Sequence, residues 1–213
     1  MKIAAIALAG GQSSRMGQDK ALVEIDGVPL LQRICTAAQQ AGSTEIYIVT
    51  GWQERYQKLA LPSGSKFVHD RDRQGALFGF ALGLAEVNQA SNPLDWVLLL
   101  ACDLPHLDGA ILQTWANQLS DLPEKAIAYL PRHVASSSQN SRQNFKYQPE
   151  WEPLCGFYRS SCLKNLEEFI ETGGSSFQRW LSQNNVEAIG NVDSQMLLNC
   201  NTPIDLLRVK TVK

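Results

Sequence analysis

Short apolar segments alternate with longer helical patterns through the first 130 residues of the chain. The first of them, KIAAIAL at residues 2–8, is a continuous apolar run that is soon followed by two glycines, as is typical of a buried strand. Further strands are predicted at 45–50, 65–70, 96–103 and 125–130, and helices at 29–42, 75–90 and 109–119. This alternation predicts an α/β fold of three layers, an open and mostly parallel sheet with helices on both faces.

The alternation stops at residues 131–150, which are polar and rich in Ser, Gln and Asn. We expect a long mobile loop in this segment, either ordered by a substrate or present as a tolerated insertion. Beyond it the pattern predicts strands at 153–159 and 186–189, helices near 161–171 and 175–183, and a last helix from Thr202. We therefore expect one domain over residues 1–213, in which the polar segment separates a larger part, 1–130, from a smaller part, 151–213.

Composition and charge exclude several classes of protein. Hydrophobic residues make up 44% of the chain, which is enough for a core and excludes a largely disordered protein. The 19 basic and 21 acidic residues give a net charge of −2, so nothing favours binding to nucleic acid or to a membrane surface. An anionic ligand must then be held by local groups.

The cysteines and the amino-terminal segment predict a cytoplasmic protein. The 5 cysteines are scattered without a C-x-x-C pair, which argues against a disulfide framework and against a zinc site. Ala7-Leu8-Ala9 fits a signal-cleavage pattern, but a leader that short falls well below the roughly 15 to 30 residues usually found. No run reaches the roughly 18 apolar residues that a membrane-spanning helix needs.

The loop after the first strand has the parts of a phosphate-binding loop. Residues 8–22 read LAGGQSSRMGQDKAL, which matches neither the P-loop pattern nor the dinucleotide G-x-G-x-x-G pattern. Gly10 and Gly11 let backbone N–H groups approach phosphate oxygens closely. Arg15 can form a forked contact with a phosphate, and Lys20 supplies a point charge. Together they favour a triphosphate site over an ordinary strand-to-helix turn.

Acidic residues follow two other predicted strands. Ligands of open α/β sheets bind at the carboxyl ends of the strands, so the polar residues there are the candidates, Thr50, Asp70 and Asp103. Asp103 comes directly after the apolar run WVLLLAC, where it either binds Mg²⁺ shared with phosphates or caps the following segment. Asp70 or Asp72 is predicted to hold metal or ribose.

Three polar residues nearer the carboxyl terminus are candidates for contact with an acceptor. Glu152 lies in the segment Trp151-Glu152-Pro153, which leads into a predicted strand that faces the site. Asn199 and Asn201 precede the last predicted helix, where capping is the usual role and an amide reaching toward metal or phosphate is the alternative.

These stretches resemble, in order, the signatures of the molybdenum cofactor guanylyltransferases. The matching segments are LAGGQSSRMGQDKAL, HDRDRQGALFG, CDLPHL, EPLCGFY and NCNTPIDL, which together extend from residue 3 to about 207. The resemblance implies a fold of the nucleotide-diphospho-sugar transferase type, with 1–130 as the nucleotide-binding part and 151–213 as the acceptor side. It further implies Mg²⁺-dependent transfer of GMP from GTP to the phosphate of molybdopterin cofactor, with release of pyrophosphate.

The resemblance also implies roles for individual residues. Arg15, Lys20 and Asp103 would be catalytic, and Asp103 would bind the metal. The nucleotide would be contacted by Leu8, Ala9, Gly10, Gly11, Lys20, Thr50, Asp70 and Asp103. Thr50 stands where the family often has asparagine, and GALFG replaces the usual G-P-L-x-G.

Other functions are compatible with the same residues. A cytidylyltransferase that uses CTP on molybdopterin is the nearest alternative, and a sugar-1-phosphate nucleotidyltransferase is more distant. A nucleotide-binding regulator or cofactor chaperone would be a function without turnover. The implied partners are GTP, molybdopterin cofactor and a molybdoenzyme or cofactor-delivery protein.

Overall fold

The structure is a computed structural model that describes residues 1–10, 18–90, 93–133, 150–190, 192–200 and 205. Its strands are β1 (Ile3–Leu8), β2 (Glu24–Ile25), β3 (Val28–Pro29), β4 (Ser43–Thr50), β5 (Ser65–His69), β6 (Trp96–Ala101), β7 (Ala128–His133), β8 (Glu150–Trp151), β9 (Cys155–Arg159) and β10 (Val186–Ile189). Its helices are α1 (Leu30–Gln40), α2 (Ala76–Asn88), α3 (Gly109–Ala116), α4 (Leu163–Glu171) and α5 (Phe177–Leu181). Among the described helices, none combines the length and apolarity needed to cross a membrane.

The main sheet is open and mostly parallel, as predicted. Its strands lie side by side in the order β10-β7-β9-β6-β1-β4-β5, and β8 pairs with β7 outside this path. The pairs β1–β4, β1–β6, β4–β5 and β7–β10 are parallel. Strand β9 is antiparallel to both of its neighbours, β6 and β7, so it enters the sheet in the reverse direction.

Helices cover both faces of the sheet, which confirms the three-layer arrangement. Alternate residues of β1 point to opposite faces, so Ala5 and Ala7 belong to one core cluster and Ala4 and Ile6 to the other. Helices α1 and α3 contribute to the first cluster, and α2, α4 and α5 contribute to the second. Because strands buried on both faces need apolar side chains at every position, β1 and β6 read as continuous apolar runs.

Four aromatic rings hold the carboxyl-terminal helices against the second face. The ring centroids of Phe80 and Tyr158 lie 4.6 Å apart, and the rings of Tyr158 and Trp180 are stacked at 6.0 Å. Phe177 is 5.8 Å from Phe80 and 6.3 Å from Trp180. Contacts of this kind join α2, β9 and α5 into one packed unit.

The predicted fifth strand begins and ends later than expected. Strand β7 covers Ala128–His133 rather than 125–130, and the carbonyl of Pro131 accepts a hydrogen bond from the Glu152 backbone N–H at 2.9 Å. The predicted loop boundaries at 131 and 150 are therefore wrong, because both ends of that segment pair as strands β7 and β8. A proline remains compatible with a strand where its missing N–H is not required. Residues 134–149, and the helix predicted from Thr202 except Asp205, lie outside the described residues.

A small hairpin between β1 and α1 was not predicted. Strands β2 and β3 pair in antiparallel fashion around Asp26 and Gly27, whose φ angles are 52° and 76°. Two consecutive residues with positive φ make a type I′ turn, for which the Asp-Gly pair is a strong sequence signal. The hairpin therefore had a recognisable signature in IDGV.

Candidate active site

A cleft of about 400 Å³ opens at the carboxyl end of the sheet, next to the ends of β1, β4 and β6. Open α/β sheets bind ligands at this edge. Its lining brings together six of the residues predicted to form the site: Leu8, Ala9, Gly10, Lys20, Asp70 and Asp103. The cleft is thus built from loops that are distant in sequence and adjacent in space.

The wall formed by the end of β1 depends on small residues. The Ala9 backbone N–H donates to the Val49 carbonyl at 2.9 Å, which extends the β1–β4 ladder beyond the last residue of the strand. A side chain at Gly10 would place its Cβ 3.7 Å from Asp70 Oδ2, and one at Gly79 would lie 3.4 Å from Leu8 Cδ2. The missing side chains of Gly10 and Gly79 therefore leave the space into which this carboxylate oxygen faces.

Thr50 supports this wall through a hydrogen bond to Ala9. Its side chain is fully buried, and its hydroxyl donates to the Ala9 carbonyl at 3.0 Å. The same oxygen accepts a hydrogen bond from the Trp52 backbone N–H at 3.1 Å. Thr50 does not line the cleft, so its geometry is that of a support for Ala9.

The turn after β5 supplies the opposite wall. Asp70 Oδ1 accepts a hydrogen bond from the Arg73 backbone N–H at 2.9 Å, and this closes a turn in which Arg73 has a φ of 49°. Gly75 follows with a φ of 111°, a conformation that favours glycine, and α2 begins at the next residue. Arg73 lines the cleft, and its guanidinium carbon lies 5.1 Å from the centre of the Trp52 ring.

Lys20 and Asp103 meet at one end of the cleft. Lys20 Nζ lies 3.6 Å from Asp103 Oδ2, and the two side chains are 22% and 23% exposed. Partial burial strengthens this pairing relative to a fully exposed ion pair, while solvent still reaches both groups. A cation and a carboxylate that share an accessible position suit a ligand carrying phosphates.

Asp19 and Tyr56 hold the turn that carries Lys20. Asp19 Oδ1 accepts from the Ala21 N–H at 3.1 Å and so caps the short 3₁₀ helix Lys20–Leu22. Asp19 Oδ2 accepts from the Tyr56 hydroxyl at 2.9 Å and from Arg55 at 3.3 Å. Burial raises the pKa of the Tyr56 hydroxyl, and the hydrogen bond to Asp19 raises it further, so this group remains a donor.

The chain near residue 200 returns to the same end of the cleft. The Cys200 backbone N–H donates to the Asp103 carbonyl at 2.8 Å, which brings the exposed Asn199 into this neighbourhood. Burial, with the charges of Asp205 and Asp103, raises the pKa of the Cys200 thiol. Asn199, one of the predicted acceptor-side residues, thus precedes a residue that is bonded to the Lys20–Asp103 end.

Glu152 lies close to the cleft without lining it. Its Oε1 accepts from the Leu154 backbone N–H at 3.4 Å, and Leu154 itself lines the cleft. The Leu154 carbonyl accepts from the Ala101 N–H at 3.0 Å, so this segment is tied to the end of β6. Three further residues with predicted roles lie outside the described part of the chain: Gly11, Arg15 and Asn201.

The sequence predictions missed several residues of this site. Neither Tyr56 nor Asp19 received a role, although Asp19 lines the cleft and the Tyr56 hydroxyl hydrogen-bonds to it. Asp19 could have been found from its position directly before Lys20 at the start of a short helix. Tyr56 has no comparable signal, because a lone tyrosine in a polar turn reads as packing.

The described side chains offer no activated nucleophile in the cleft. Cys102 lines it, but burial raises the pKa of this thiol well above its usual value and keeps it protonated. His69 is exposed on the end of β5 and His106 is half-buried after β6, and neither lines the cleft. The arrangement suits a reaction in which the substrate brings its own nucleophile.

One carboxylate alone cannot hold a metal firmly. The described part of the chain contains no group of three or more His, Cys, Asp or Glu side chains that could bind a metal ion. Mg²⁺ commonly binds through one or two protein carboxylates together with substrate phosphates. The residues at the Lys20–Asp103 end fit that second kind of binding, with Asp103 as the protein ligand.

Comparison with known protein families gives one match that covers most of the chain. The MobA-like NTP transferase domain matches residues 5–188. A probable molybdenum cofactor guanylyltransferase of Nostoc sp. is 52% identical over 204 residues, which cover 96% of this chain and 88% of that protein. A protein of the same description from Synechococcus elongatus is 37% identical over 207 residues, covering 96% of each chain.

Solved structures show the same fold at lower sequence identity. The molybdopterin-guanine dinucleotide biosynthesis protein A of Archaeoglobus fulgidus superposes with a TM-score of 0.70 at 21% identity, over 100% of this chain and 98% of that one. A CMP:2-keto-3-deoxy-manno-octonic acid synthetase complexed with CTP gives a TM-score of 0.71 at 17% identity, with the same coverage. These likenesses concern the fold, which is that of nucleotidyltransferases with a Rossmann-like sheet.

Proposed function

This chain belongs to the MobA-like NTP transferase family, and we propose that it transfers GMP from GTP to the phosphate of molybdopterin cofactor and releases pyrophosphate. The observation that carries the proposal is the pairing of Lys20 with Asp103 at one end of a cleft whose lining includes Gly10 and Gly79. The curated relatives are described as molybdenum cofactor guanylyltransferases, which supports the choice of GTP and molybdopterin.

The nucleotide lies along the cleft with its phosphates at the Lys20–Asp103 end. Leu8, Ala9 and Gly10 then line the guanine and ribose, opposite Asp70. Gly10 and Gly79 present backbone without a side chain to the cleft, so the nucleotide can approach the backbone closely there. Gly11 and Arg15 are proposed to contact the phosphates, as expected from the sequence.

The reaction needs an approach of two anions. An oxygen of the acceptor phosphate attacks the α-phosphorus of GTP, the bond from that phosphorus to the β-phosphate oxygen breaks, and pyrophosphate leaves with its electron pair. Lys20 reduces the repulsion and stabilises charge on the leaving pyrophosphate. The acceptor phosphate is already ionised near neutral pH, so no side-chain base is required.

Mg²⁺ is the proposed metal, with Asp103 as its protein ligand and the nucleotide phosphates as its other ligands. When bound, such an ion neutralises phosphate charge and orients the leaving group. On nucleotide binding, Asp103 would exchange Lys20 for the metal ion and Lys20 would exchange Asp103 for a phosphate. The two side chains already lie side by side, so neither has to move far.

The acceptor is proposed to enter from the side of residues 151–213. Glu152 and Asn199 lie on segments that are tied to the end of β6 and to Asp103, and Asn201 follows closely in sequence. In this proposal one domain spans 1–213, with the nucleotide-binding part in 1–130. The polar segment 131–150, shortened at both ends by β7 and β8, connects the two parts.

The proposal also covers the compartment of the protein and the recipient of its product. We place the protein in the cytoplasm, because its 5 cysteines are buried free thiols, as is usual in a reducing compartment. We also propose that the product passes to a molybdoenzyme or a cofactor-delivery protein.

The test is pyrophosphate release by the purified protein with molybdopterin and each of GTP, CTP, ATP and UTP. We expect turnover with GTP only, and none when molybdopterin is omitted. Turnover with CTP alone would identify a cytidylyltransferase, and turnover with a sugar 1-phosphate in place of molybdopterin would exclude the proposed acceptor. Nucleotide binding without turnover under any condition would favour a regulator or chaperone.

A further inference from the structure

One buried hydroxyl contacts both ends of the glycine-rich loop. The Tyr56 hydroxyl lies 3.3 Å from the Ala9 carbonyl oxygen and 2.9 Å from Asp19 Oδ2. Ala9 stands where the chain leaves β1, and Asp19 stands just before the short helix that begins at Lys20. The two residues that flank the segment 10–18, Ala9 and Asp19, therefore both contact the Tyr56 hydroxyl.

The position of this hydroxyl is fixed by its surroundings. The Tyr56 side chain is fully buried, and it belongs to the core cluster that includes α1 and the alternate residues of β1. Its residue closes the short 3₁₀ helix Gln53–Arg55, directly after the turn in which Thr50 bonds to Trp52. A buried ring on a hydrogen-bonded turn keeps its hydroxyl at one place.

The hydroxyl has one proton to donate, and the geometry favours Asp19. The distance to the carboxylate is shorter than that to Ala9, and a charged acceptor forms the stronger hydrogen bond. The Ala9 carbonyl has its own donor in Thr50 at 3.0 Å. Thr50 thus donates a hydrogen bond at the first end of the loop, to Ala9, and Tyr56 donates one at the second end, to Asp19.

Through Asp19 the hydroxyl acts on Lys20. The second oxygen of the Asp19 carboxylate caps the turn at Ala21, so the orientation of this carboxylate fixes the start of the helix that carries Lys20. Arg55 contacts the same oxygen as Tyr56, but its side chain is 46% exposed and that contact is weaker. The buried donor is the one that holds the carboxylate in place.

We propose that Tyr56 is a positioning residue for the transfer reaction, which acts through Asp19 to hold Lys20 against the leaving phosphates. The inference rests on the proposed function. A cation that must meet charge developing on the leaving group is effective only when it is held in place beforehand. Without the hydroxyl, the cleft walls at Leu8–Gly10 and Gly79 remain, while the turn at 19–21 loses its buried anchor.

A second tyrosine of the same core provides a matched control. Tyr129 is also buried in that cluster, and its hydroxyl hydrogen-bonds to Gln118 away from the cleft. Each Tyr→Phe substitution removes one hydroxyl and one side-chain hydrogen bond while it keeps the buried ring. A merely structural role predicts the same outcome for both variants.

The experiment compares Tyr56→Phe, Tyr129→Phe and the parent protein by pyrophosphate release with GTP and molybdopterin, by GTP affinity and by melting temperature. We expect Tyr56→Phe to lower kcat at least roughly tenfold while the dissociation constant of GTP changes less than about threefold. Both variants should lose melting temperature, Tyr56→Phe at least as much as Tyr129→Phe because its acceptor is charged, and Tyr129→Phe should keep the parent kcat. Equal kcat values for the two variants, with an active parent, would overturn the inference.

A double-mutant cycle tests the route through Asp19. Asp19→Ala should lower kcat at least as much as Tyr56→Phe, and adding Tyr56→Phe to it should lower kcat by less than about twofold more. If the double variant lost kcat by the product of the two single losses, Tyr56 and Asp19 would act independently and the proposed route would be overturned. A parent protein that releases no pyrophosphate with any of the four nucleotides would overturn the proposed function itself, and with it this inference. The failures of the two proposals therefore have different signatures.

Discussion

The two halves of the sheet are built in different ways. In the half formed by β5, β4, β1 and β6, the strand ends carry hydrogen-bonded polar groups such as Thr50 and Asp70, and glycines leave space between the walls of a cleft. In the half formed by β9, β7 and β10, the second face is packed by large aromatic rings from β9 and α5, which also contact Phe80 of α2. One half is rich in polar contacts around a cleft, and the other is rich in contacts between aromatic rings.

The difference indicates that the residues that most stabilise this fold and the residues of the candidate active site lie in different halves of the sheet. Buried aromatic side chains contribute large apolar areas, so the aromatic cluster is expected to dominate the stability of its half. Side chains such as Lys20 and Asp103 are partly exposed and contribute little to folding. Substitutions in the two halves should therefore have opposite signatures in stability and in turnover.

The largest effect is expected for Trp180→Ala in the aromatic half. Trp180 is fully buried against Phe80 and Tyr158, and its indole N–H donates to Asn165 Oδ1 at 2.7 Å. Loss of the ring leaves a cavity and an unpaired amide oxygen, so the free energy of unfolding should fall by about 3–5 kcal/mol. Chemical denaturation measures this change.

Nucleotide binding separates this variant from one that is damaged throughout. Below its melting temperature, Trp180→Ala should bind GTP with the affinity of the parent. A loss of GTP affinity equal to the loss of stability would show that the two halves are not independent.

The second largest effect is expected for Asp103→Ala in the cleft half. This substitution removes the proposed metal ligand and the partner of Lys20, so kcat should fall by at least roughly two orders of magnitude. The free energy of unfolding should change by less than about 1 kcal/mol, since the ion pair is partly exposed. Steady-state pyrophosphate release and chemical denaturation give the two numbers.

Asp108→Ala is the matched control for that variant. The Asp108 carboxylate caps α3 by accepting from the backbone N–H groups of Ala110 and Ile111. Its removal should cost about 1 kcal/mol of stability and leave kcat unchanged. Normal turnover by Asp103→Ala would exclude the metal role of that carboxylate.

The same division explains which parts of the fold were predictable. Continuous apolar runs such as β1 and β6 are required by burial on both faces, so their position could be predicted from local composition. The reversed direction of β9 could not, because CGFYR would read the same way in either orientation. Direction is fixed by pairing with distant strands rather than by local pattern.

The cleft shows a similar limit. Asp103 could be predicted, because it directly follows an apolar run and its charge would be costly to bury without a partner. Lys20 could be predicted from its place in the glycine-rich loop after β1. Tyr56 could not, since only the folded chain brings its hydroxyl to both Ala9 and Asp19. Residues that act on others across the fold leave no trace in local sequence.

A smaller effect is expected within helix α2, where two glycines face different surroundings. A Cβ at Gly79 would make ordinary contacts with Leu8 and Val49 and project into the cleft, whereas one at Gly83 would lie 2.9 Å from carbons of Ile6. Gly79→Ala should therefore raise the KM for GTP roughly tenfold without loss of stability. Gly83→Ala should keep the parent KM and lose about 1 kcal/mol, as overpacking outweighs the gain in helix propensity. An unchanged KM in Gly79→Ala would mean that the nucleotide does not occupy this wall.

The smallest effect is expected at the outer edge of the cleft half, far from the aromatic rings. Glu45 Oε2 accepts from Lys66 Nζ at 2.8 Å and from the Tyr47 hydroxyl. These hydrogen bonds, that of Lys66 first, hold the pKa of the Glu45 carboxyl below its usual 4.5. A depressed pKa in the folded state means that the carboxylate contributes stability above about pH 4.5, and that this contribution is lost as the pH falls through the lower folded value.

Glu45→Gln should therefore lose at most about 0.5 kcal/mol at neutral pH, because solvent reaches the Glu45 and Lys66 side chains, which are 29% and 53% exposed, and screens the pair. Its stability should also fall less steeply than that of the parent between about pH 5 and pH 3, as measured by denaturation at each pH. The control is Glu168→Gln, whose carboxylate lies 3.9 Å from Lys164 with the two side chains 63% and 89% exposed, and which should leave the free energy of unfolding at neutral pH unchanged. Parallel profiles for Glu45→Gln and the parent would show that this edge adds nothing. The Glu45–Lys66 pair would then be excluded as a source of stability for the cleft half.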